Sequence, residues 1–180
     1  MPVTTGWTQL TLTARQVQRW PDADAAPPPR WWEAADRVAF RLPSLEKTVP
    51  VCRGLVRAWL DARQVCDGET QHSLMLIVSE FLANAIRHSA SIWITCRLWT
   101  SGDLLFVEVR DQGGSLSVPR VHRNGATREH GRGLALAASS AREWGWLAAD
   151  GGCAVWATVA FVPCGGPQHA APPIRLPEHR

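Results

Sequence analysis

The sequence predicts an α/β (α+β) two-layer sandwich, with a mixed, largely antiparallel sheet and helices on one face. Three observations predict it. The elements read strand, helix, helix, hairpin, long loop, helix, hairpin. The helical stretches carry their apolar residues on one side, as helices lying on a sheet do. Repeated strand–helix–strand units are missing from the pattern, which disfavours a doubly wound parallel sheet.

Residues 1–35 read as an N-terminal arm or flexible linker, because D-A-D-A-A-P-P-P at 22–29 has linker composition. Thr13 to Trp20 can form a short helix within it, and Trp20, Trp31 and Trp32 can hold the arm to the domain or to a partner. A domain follows over 36–163. Arg37 to Leu42 alternates as a strand, and Pro43 ends it. Ser44 is a candidate helix cap, with Lys47 where a capping box would have Glu. Val49, Cys52, Leu55, Val56, Trp59 and Leu60 recur at helical spacing.

A second helix is expected from about Glu69 to Ser89, with Leu74, Val78, Phe81, Leu82 and Ala85 on its apolar face. Ile92 to Trp99 predicts a strand with Ile92, Ile94, Cys96 and Leu98 on one side. Ser101-Gly102-Asp103 turns the chain back into a strand over Leu104 to Arg110. Residues 112–132 form a long loop, a length that in a compact domain points to function or disorder. A helix from about Gly133 to Trp144 and strands over Gly145–Ala149 and Cys153–Val162 complete the domain. Residues 164–180 are rich in Pro and His and read as a tail.

Composition narrows the function. The 180 residues carry a net charge of +3, scattered without a basic block, so direct nucleic-acid binding is not expected. No apolar run approaches the ~18 residues that span a bilayer, and no signal peptide is visible, so a cytoplasmic location is expected. The five cysteines show no C-x-x-C spacing and no His at metal-site spacing. They read as reduced thiols rather than a zinc site or disulfide framework.

Three short motifs interrupt the structural pattern. In V-S-E-F-L-A-N-A-I-R-H-S (78–89), Glu80, Asn84 and Arg87 share one helical stripe and His88 lies at its edge, on a side facing away from the apolar face. A solvated helix surface would look similar. An Asn carbonyl is also a hard ligand suited to Mg²⁺, and a carboxylate one turn away can accept a proton. The second motif is Asp111-Gln-Gly113-Gly114. It places a carboxylate at the end of a strand, where it can accept a hydrogen bond from an exocyclic amine; a strand-ending Asp in a glycine turn is also common. In the third, Gly131-Arg132-Gly133-Leu134, a glycine turn enters a helix whose exposed N–H groups can hold phosphate, with Arg132 as a forked cation.

In this order, the three motifs resemble the ATP-binding domain shared by DNA gyrase B, the Hsp90 chaperones, histidine kinases and MutL. The match is closest to the anti-sigma regulatory factors, which are small serine-protein kinases. It extends to the Trp144-Gly145 step and to Gly152, Val155 and Trp156, and covers about residues 36–163. The resemblance implies a Bergerat-type ATP-binding fold with ATP and Mg²⁺ as cofactors. It implies Glu80 as general base on a serine hydroxyl and Asn84 as Mg²⁺ ligand. Asp111, supported by Gly113, would read the adenine amino group. Gly131, Arg132 and Gly133, with Leu134 beside them, would contact phosphates under a lid formed by 112–132. His88 would support the site, and Arg87 would contact phosphate or a partner, or lie on a solvated helix face.

The implied partners are a sigma factor and a serine-bearing anti-sigma antagonist, with a homodimer possible and no membrane. Alternatives are a nucleotide-binding regulatory module without phosphoryl transfer and a histidine-kinase-type catalytic domain acting in trans. The sequence departs from the family in two places. Gly114 and Ser115 replace the x-Gly that usually continues the second motif, and Cys153 stands where the family often has Thr.

Overall fold

The computed structural model describes residues 6–20, 35–113, 137–149 and 152–161. Among these, six strands form one sheet in the order β1-β2-β3-β4-β6-β5. They are β1 (Thr8–Thr11), β2 (Arg37–Pro43), β3 (Trp93–Ser101), β4 (Leu104–Arg110), β5 (Glu143–Ala149) and β6 (Gly152–Ala160). Every neighbouring pair is antiparallel except β1 and β2. Helices α1 (Ala14–Gln18), α2 (Thr48–Ala62) and α3 (Gly68–His88) accompany them. The two long helices pack against each other; α3 lies across β3, β4 and β6, and α2 reaches β2. The expected mixed, mostly antiparallel sandwich with helices on one face is therefore present.

Alternation along the strands decides which face the helices cover. Ile94, Cys96 and Leu98 of β3 are fully buried and pair with Leu42, Phe40 and Val38 of β2. Leu105, Val107 and Val109 of β4 continue this layer. From the helices, Cys52, Leu55, Val56 and Trp59 of α2 and Leu74, Ile77, Val78 and Leu82 of α3 close it. The opposite face carries a smaller aromatic and charged layer. Trp99 stacks on Phe106 with ring centroids 4.9 Å apart, and Trp7 meets Trp99 edge-on at 5.4 Å. Arg97 lies over the Trp7 ring and pairs with Glu108 at 3.0 Å.

Within the stretch 1–35, read as an arm or linker, the described residues 6–20 join the domain. Residues 6–20 supply an edge strand and the short helix that the sequence predicts. Leu10, Leu12 and Val17 are buried in the main core. Thr13 and Gln16 form a reciprocal capping box for α1, and Lys47 Nζ donates to the Gln18 carbonyl. Trp20 packs against the core beside Gly54 of α2, whereas Trp31 and Trp32 lie outside the described residues.

Four further expectations shift at element ends. Helix α2 starts at Thr48, and Ser44 does not cap it. Instead, Ser44 N donates to the Ile92 carbonyl at 2.9 Å and Thr48 Oγ1 to the Pro43 carbonyl at 2.5 Å. Ile92 precedes β3 and is 74% exposed, so the buried row starts at Ile94. The helix expected to reach Trp144 covers 137–140 of the described residues. Arg142 N already donates to the Thr158 carbonyl at 2.8 Å, and Trp144 pairs with Ala157 inside β5. The last strand ends at Ala160, after which Phe161 N donates to the Asp103 carbonyl at 2.9 Å. Among the described residues, no helix is long and apolar enough to cross a membrane.

Candidate functional site

Helix α3 begins at an Asp67 cap, whose carboxylate accepts from Glu69 N at 3.3 Å and Thr70 N at 2.9 Å. It then runs for 21 residues across the sheet. Glu80 and Asn84 sit one turn apart, about 6 Å along the axis, in its C-terminal half. Both are half-buried. Their stripe therefore flanks the apolar face, where the spacing alone has it facing away from that face. Ile77 beside it is fully buried, which shows how far the covered side extends. The Nδ2 of Asn84 is buried without a hydrogen-bond partner among the described groups. A buried amide N–H left unpaired is costly and asks for an acceptor. Arg87 and His88 are exposed in the last turn, where cations also complement the negative end of the helix dipole.

The second part of the site lies at the end of β4. Asp111 is half-buried and held through both its backbone and its side chain. Its N–H donates to the Cys153 carbonyl at 3.0 Å. Its Oδ1 accepts from Cys153 N at 3.0 Å and from Gly113 N at 2.8 Å. Two backbone donors thus fix one carboxylate oxygen and with it the plane of the group, so Oδ2 points in a set direction. Gly113 has φ of 86°, in the left-handed region that glycine enters without strain. Gly152 closes the other side. A Cβ there would overlap the Asp111 carbonyl oxygen and lie 2.8 Å from Gly113 N.

Burial, together with the nearby Asp111 carboxylate, pushes the Cys153 thiol above its ordinary pKa. Both effects oppose the thiolate, so the thiol stays protonated at neutral pH. The raised value makes this a contribution to stability that is present below the ordinary thiol pKa and lost as pH rises through the folded value. We expect Cys153 to react with iodoacetamide more slowly at pH 7.5 than the exposed Cys66. Its rate should still be climbing above about pH 10, where an ordinary thiol has levelled off; a plateau below about pH 10 would contradict this.

The structure places Glu80, Asn84, Arg87 and His88 on one helix, and Asp111 and Gly113 on one turn. Gly131, Arg132, Gly133 and Leu134, like most of the expected lid, lie outside the described residues. Sequence reasoning named Gly152 and Cys153 only through resemblance. It missed that both interlock with Asp111, because the contact joins β4 to β6 across 42 residues. It also missed Ser89, Ser91 and Gln112, which join the turn to the end of α3. Polar residues spaced closely after a helix were the available signal.

Among the described residues, no group of three or more His, Cys, Asp or Glu side chains can hold a metal ion. Asn84 offers one hard oxygen. That donor set fits Mg²⁺, which takes few protein ligands and completes its shell with phosphate and water.

No curated protein matches the sequence. Among solved structures, the chain is similar to the crystal structure of the RsbU and RsbW domains of Rv1364c from Mycobacterium tuberculosis. That match has a TM-score of 0.53 at 19% identity, and covers 71% of this chain and 33% of the other. The match thus spans about one third of that chain's length, and the likeness shows the fold. The family model of the histidine kinase-like ATPase domain matches residues 42–159, which include α3, the Asp111 turn and most of β6. With that match over most of its length, the chain belongs to the histidine kinase-like ATPase domain family, within the superfamily of gyrase B, Hsp90, histidine kinases and MutL.

Proposed function

We propose that the domain binds ATP with Mg²⁺ and acts as an anti-sigma regulatory factor. In this reading it phosphorylates a serine of an anti-sigma antagonist and so controls release of a sigma factor. The observation that carries the nucleotide part is the fixed Asp111 carboxylate, with Oδ1 held by two backbone N–H groups and Oδ2 left to accept from the adenine amino group. The Asn84 amide, unpaired among the described residues, supports the phosphate part. Its N–H would find an acceptor in a phosphate oxygen, and its carbonyl oxygen would hold Mg²⁺. When bound, Mg²⁺ neutralises charge that develops on the phosphates.

Glu80, one turn from Asn84, would accept the proton of the serine hydroxyl as that oxygen attacks the terminal phosphoryl group. Gly113 would let the base approach the backbone closely. Gly131, Arg132 and Gly133, with Leu134 beside them, would hold the phosphates at a helix start. Arg87 and His88 would face phosphate or a partner at the exposed end of α3, with His88 supporting rather than reacting. Likeness to a structure that contains an RsbW domain supports the choice of sigma factor and antagonist as partners. Phosphate on the antagonist's serine would weaken its complex through added charge and desolvation.

The test is incubation with γ-labelled ATP, Mg²⁺ and the antagonist. Label is expected on the antagonist's serine. Glu80→Ala should slow transfer by about 10² to 10⁴-fold, the range of a lost general base, while ATP still binds. Asn84→Ala should weaken Mg²⁺-dependent binding itself. Saturable ATP binding with no label transferred would replace the kinase reading with that of a nucleotide-controlled binding module.

A further inference from the structure

A chain of hydrogen bonds links the end of α3 to the Asp111 turn. Ser89, the C-cap of α3, donates its hydroxyl to the Ala85 carbonyl at 2.6 Å. The Oγ atoms of Ser89 and Ser91 are 2.8 Å apart. Gln112 N donates to Ser91 Oγ at 2.7 Å, and Gln112 Oε1 accepts from Trp93 N at 2.9 Å, at the first residue of β3. Each hydroxyl has one proton. Ser89 Oγ thus lies within donating distance of both the Ala85 carbonyl and Ser91 Oγ, and its proton serves one of them at a time. The contacts run without a break from Gln112 N through Ser91 and Ser89 to the carbonyl of α3. Bonds linked in a chain strengthen one another.

This chain completes the fixing of Asp111. From the β6 side, Cys153 and Gly152 hold its carboxylate and backbone. From the opposite side, the next residue, Gln112, is tied to β3 through its side chain and to α3 through its N–H. The turn would otherwise be free to pivot about its bonds to β6. The helix it is tied to is the one that carries Glu80 and Asn84.

We propose that Ser91 and Gln112 are positioning residues for the nucleotide, setting the carboxylate of Asp111 at a fixed distance from the Asn84 end of the site. This rests on the ATP reading above. Ser91 and Gln112 act through Asp111 and need not touch the ligand. Their loss should therefore weaken recognition of the 6-amino group more than it weakens the hold on the phosphates.

The experiment is a titration of Mg²⁺·ATP and of Mg²⁺·purine riboside triphosphate, which lacks only the 6-amino group. Wild type, Ser91→Ala, Gln112→Ala and Ser91→Thr are compared. In Ser91→Ala and Gln112→Ala, ATP affinity should fall about fivefold, the scale of one lost hydrogen bond. Affinity for the analogue should change less, so the preference for ATP shrinks. Ser91→Thr keeps the hydroxyl and should restore the preference. Gln112 is exposed, so Gln112→Ala keeps the test valid if Ser91→Ala does not fold. Amide exchange at Gln112 should quicken in Ser91→Ala without any nucleotide. A preference unchanged in both alanine variants overturns the positioning role alone. Failure of wild type to bind either nucleotide overturns the ATP reading and the positioning role with it.

Discussion

Gly152→Ala is expected to weaken ATP binding about a hundredfold while leaving a folded protein. The added Cβ would overlap the Asp111 carbonyl oxygen and crowd Gly113 N at 2.8 Å. Neither obstacle is a flexible side-chain end. Both are backbone, and both belong to the turn that aims the carboxylate. The turn must therefore move, and Asp111 with it. A displacement near 1 Å in a positioned group costs about a hundredfold, and the same loss is expected in ATP affinity. Overpacking at the turn should cost about 1–3 kcal/mol of stability. Gly68→Ala is the control: nothing lies within 4 Å of a Cβ there, and binding should be unchanged. Calorimetric titration with Mg²⁺·ATP, paired with thermal denaturation, separates the two effects. Wild-type affinity in Gly152→Ala would show that the β4–β6 turn does not hold the base.

The largest loss of stability is expected at Trp59. Its side chain is fully buried in α2, and its Nε1 donates to the Ala35 carbonyl at 2.9 Å. Arg63, one turn later, stacks on the ring at 4.3 Å, donates to the same carbonyl, and pairs with Asp36 at 3.2 Å. The indole thus fills the core and holds the entry to β2. Truncation of such a residue costs about 3–5 kcal/mol, a large part of the 5–15 kcal/mol that stabilises an ordinary domain. For Trp59→Ala this corresponds to a fall in Tm of roughly 10 °C. Trp59→Phe should lose much less, since it keeps an aromatic ring in the cavity and Arg63 still satisfies the Ala35 carbonyl. Equal losses in the two variants would mean that the hydrogen bond, and not the packing, carries the effect.

What is legible in the sequence follows from the range of the signals. The apolar rows of α2 and α3 and the hairpin at Gly102 are local patterns, and all are found. Gly102 takes φ of 59°, as its turn requires. Strand β1 is not legible. It is four residues long, T-Q-L-T, and only Leu10 within it is buried, so it offers no alternation to detect. Its place in the sheet depends on pairing with β2, across the linker-like run at 22–29. The start of α2 is obscured for a similar reason. Ser44 has the chemistry of a cap, but its backbone is tied to Ile92, 48 residues away, and the helix starts only at Thr48.

The site divides in the same way. Glu80 and Asn84 declare themselves by spacing on one helix, and Asp111 by its place before a glycine turn. Spacing defines the stripe but not its depth. Only the packing of α3 over β3, β4 and β6 leaves Glu80 and Asn84 half-buried and the Asn84 amide unpaired among the described residues. The interlock of Asp111 with Cys153 and Gly152, and its tether through Gln112 and Ser91, bring together residues that are 21 to 42 positions apart. No local pattern encodes those contacts.

The central claim is that the fixed carboxylate of Asp111 reads the base of ATP. Titration of wild type and Asp111→Asn with Mg²⁺·ATP tests it most directly. Asparagine keeps an oxygen for the N–H groups of Gly113 and Cys153 but replaces the outward acceptor with a donor. Wild type should bind ATP saturably, and Asp111→Asn should bind it at least about tenfold more weakly, a loss of about 1.4 kcal/mol, with an unchanged Tm in the absence of nucleotide. Equal affinity in the two proteins, or no saturable binding by wild type, would contradict the account.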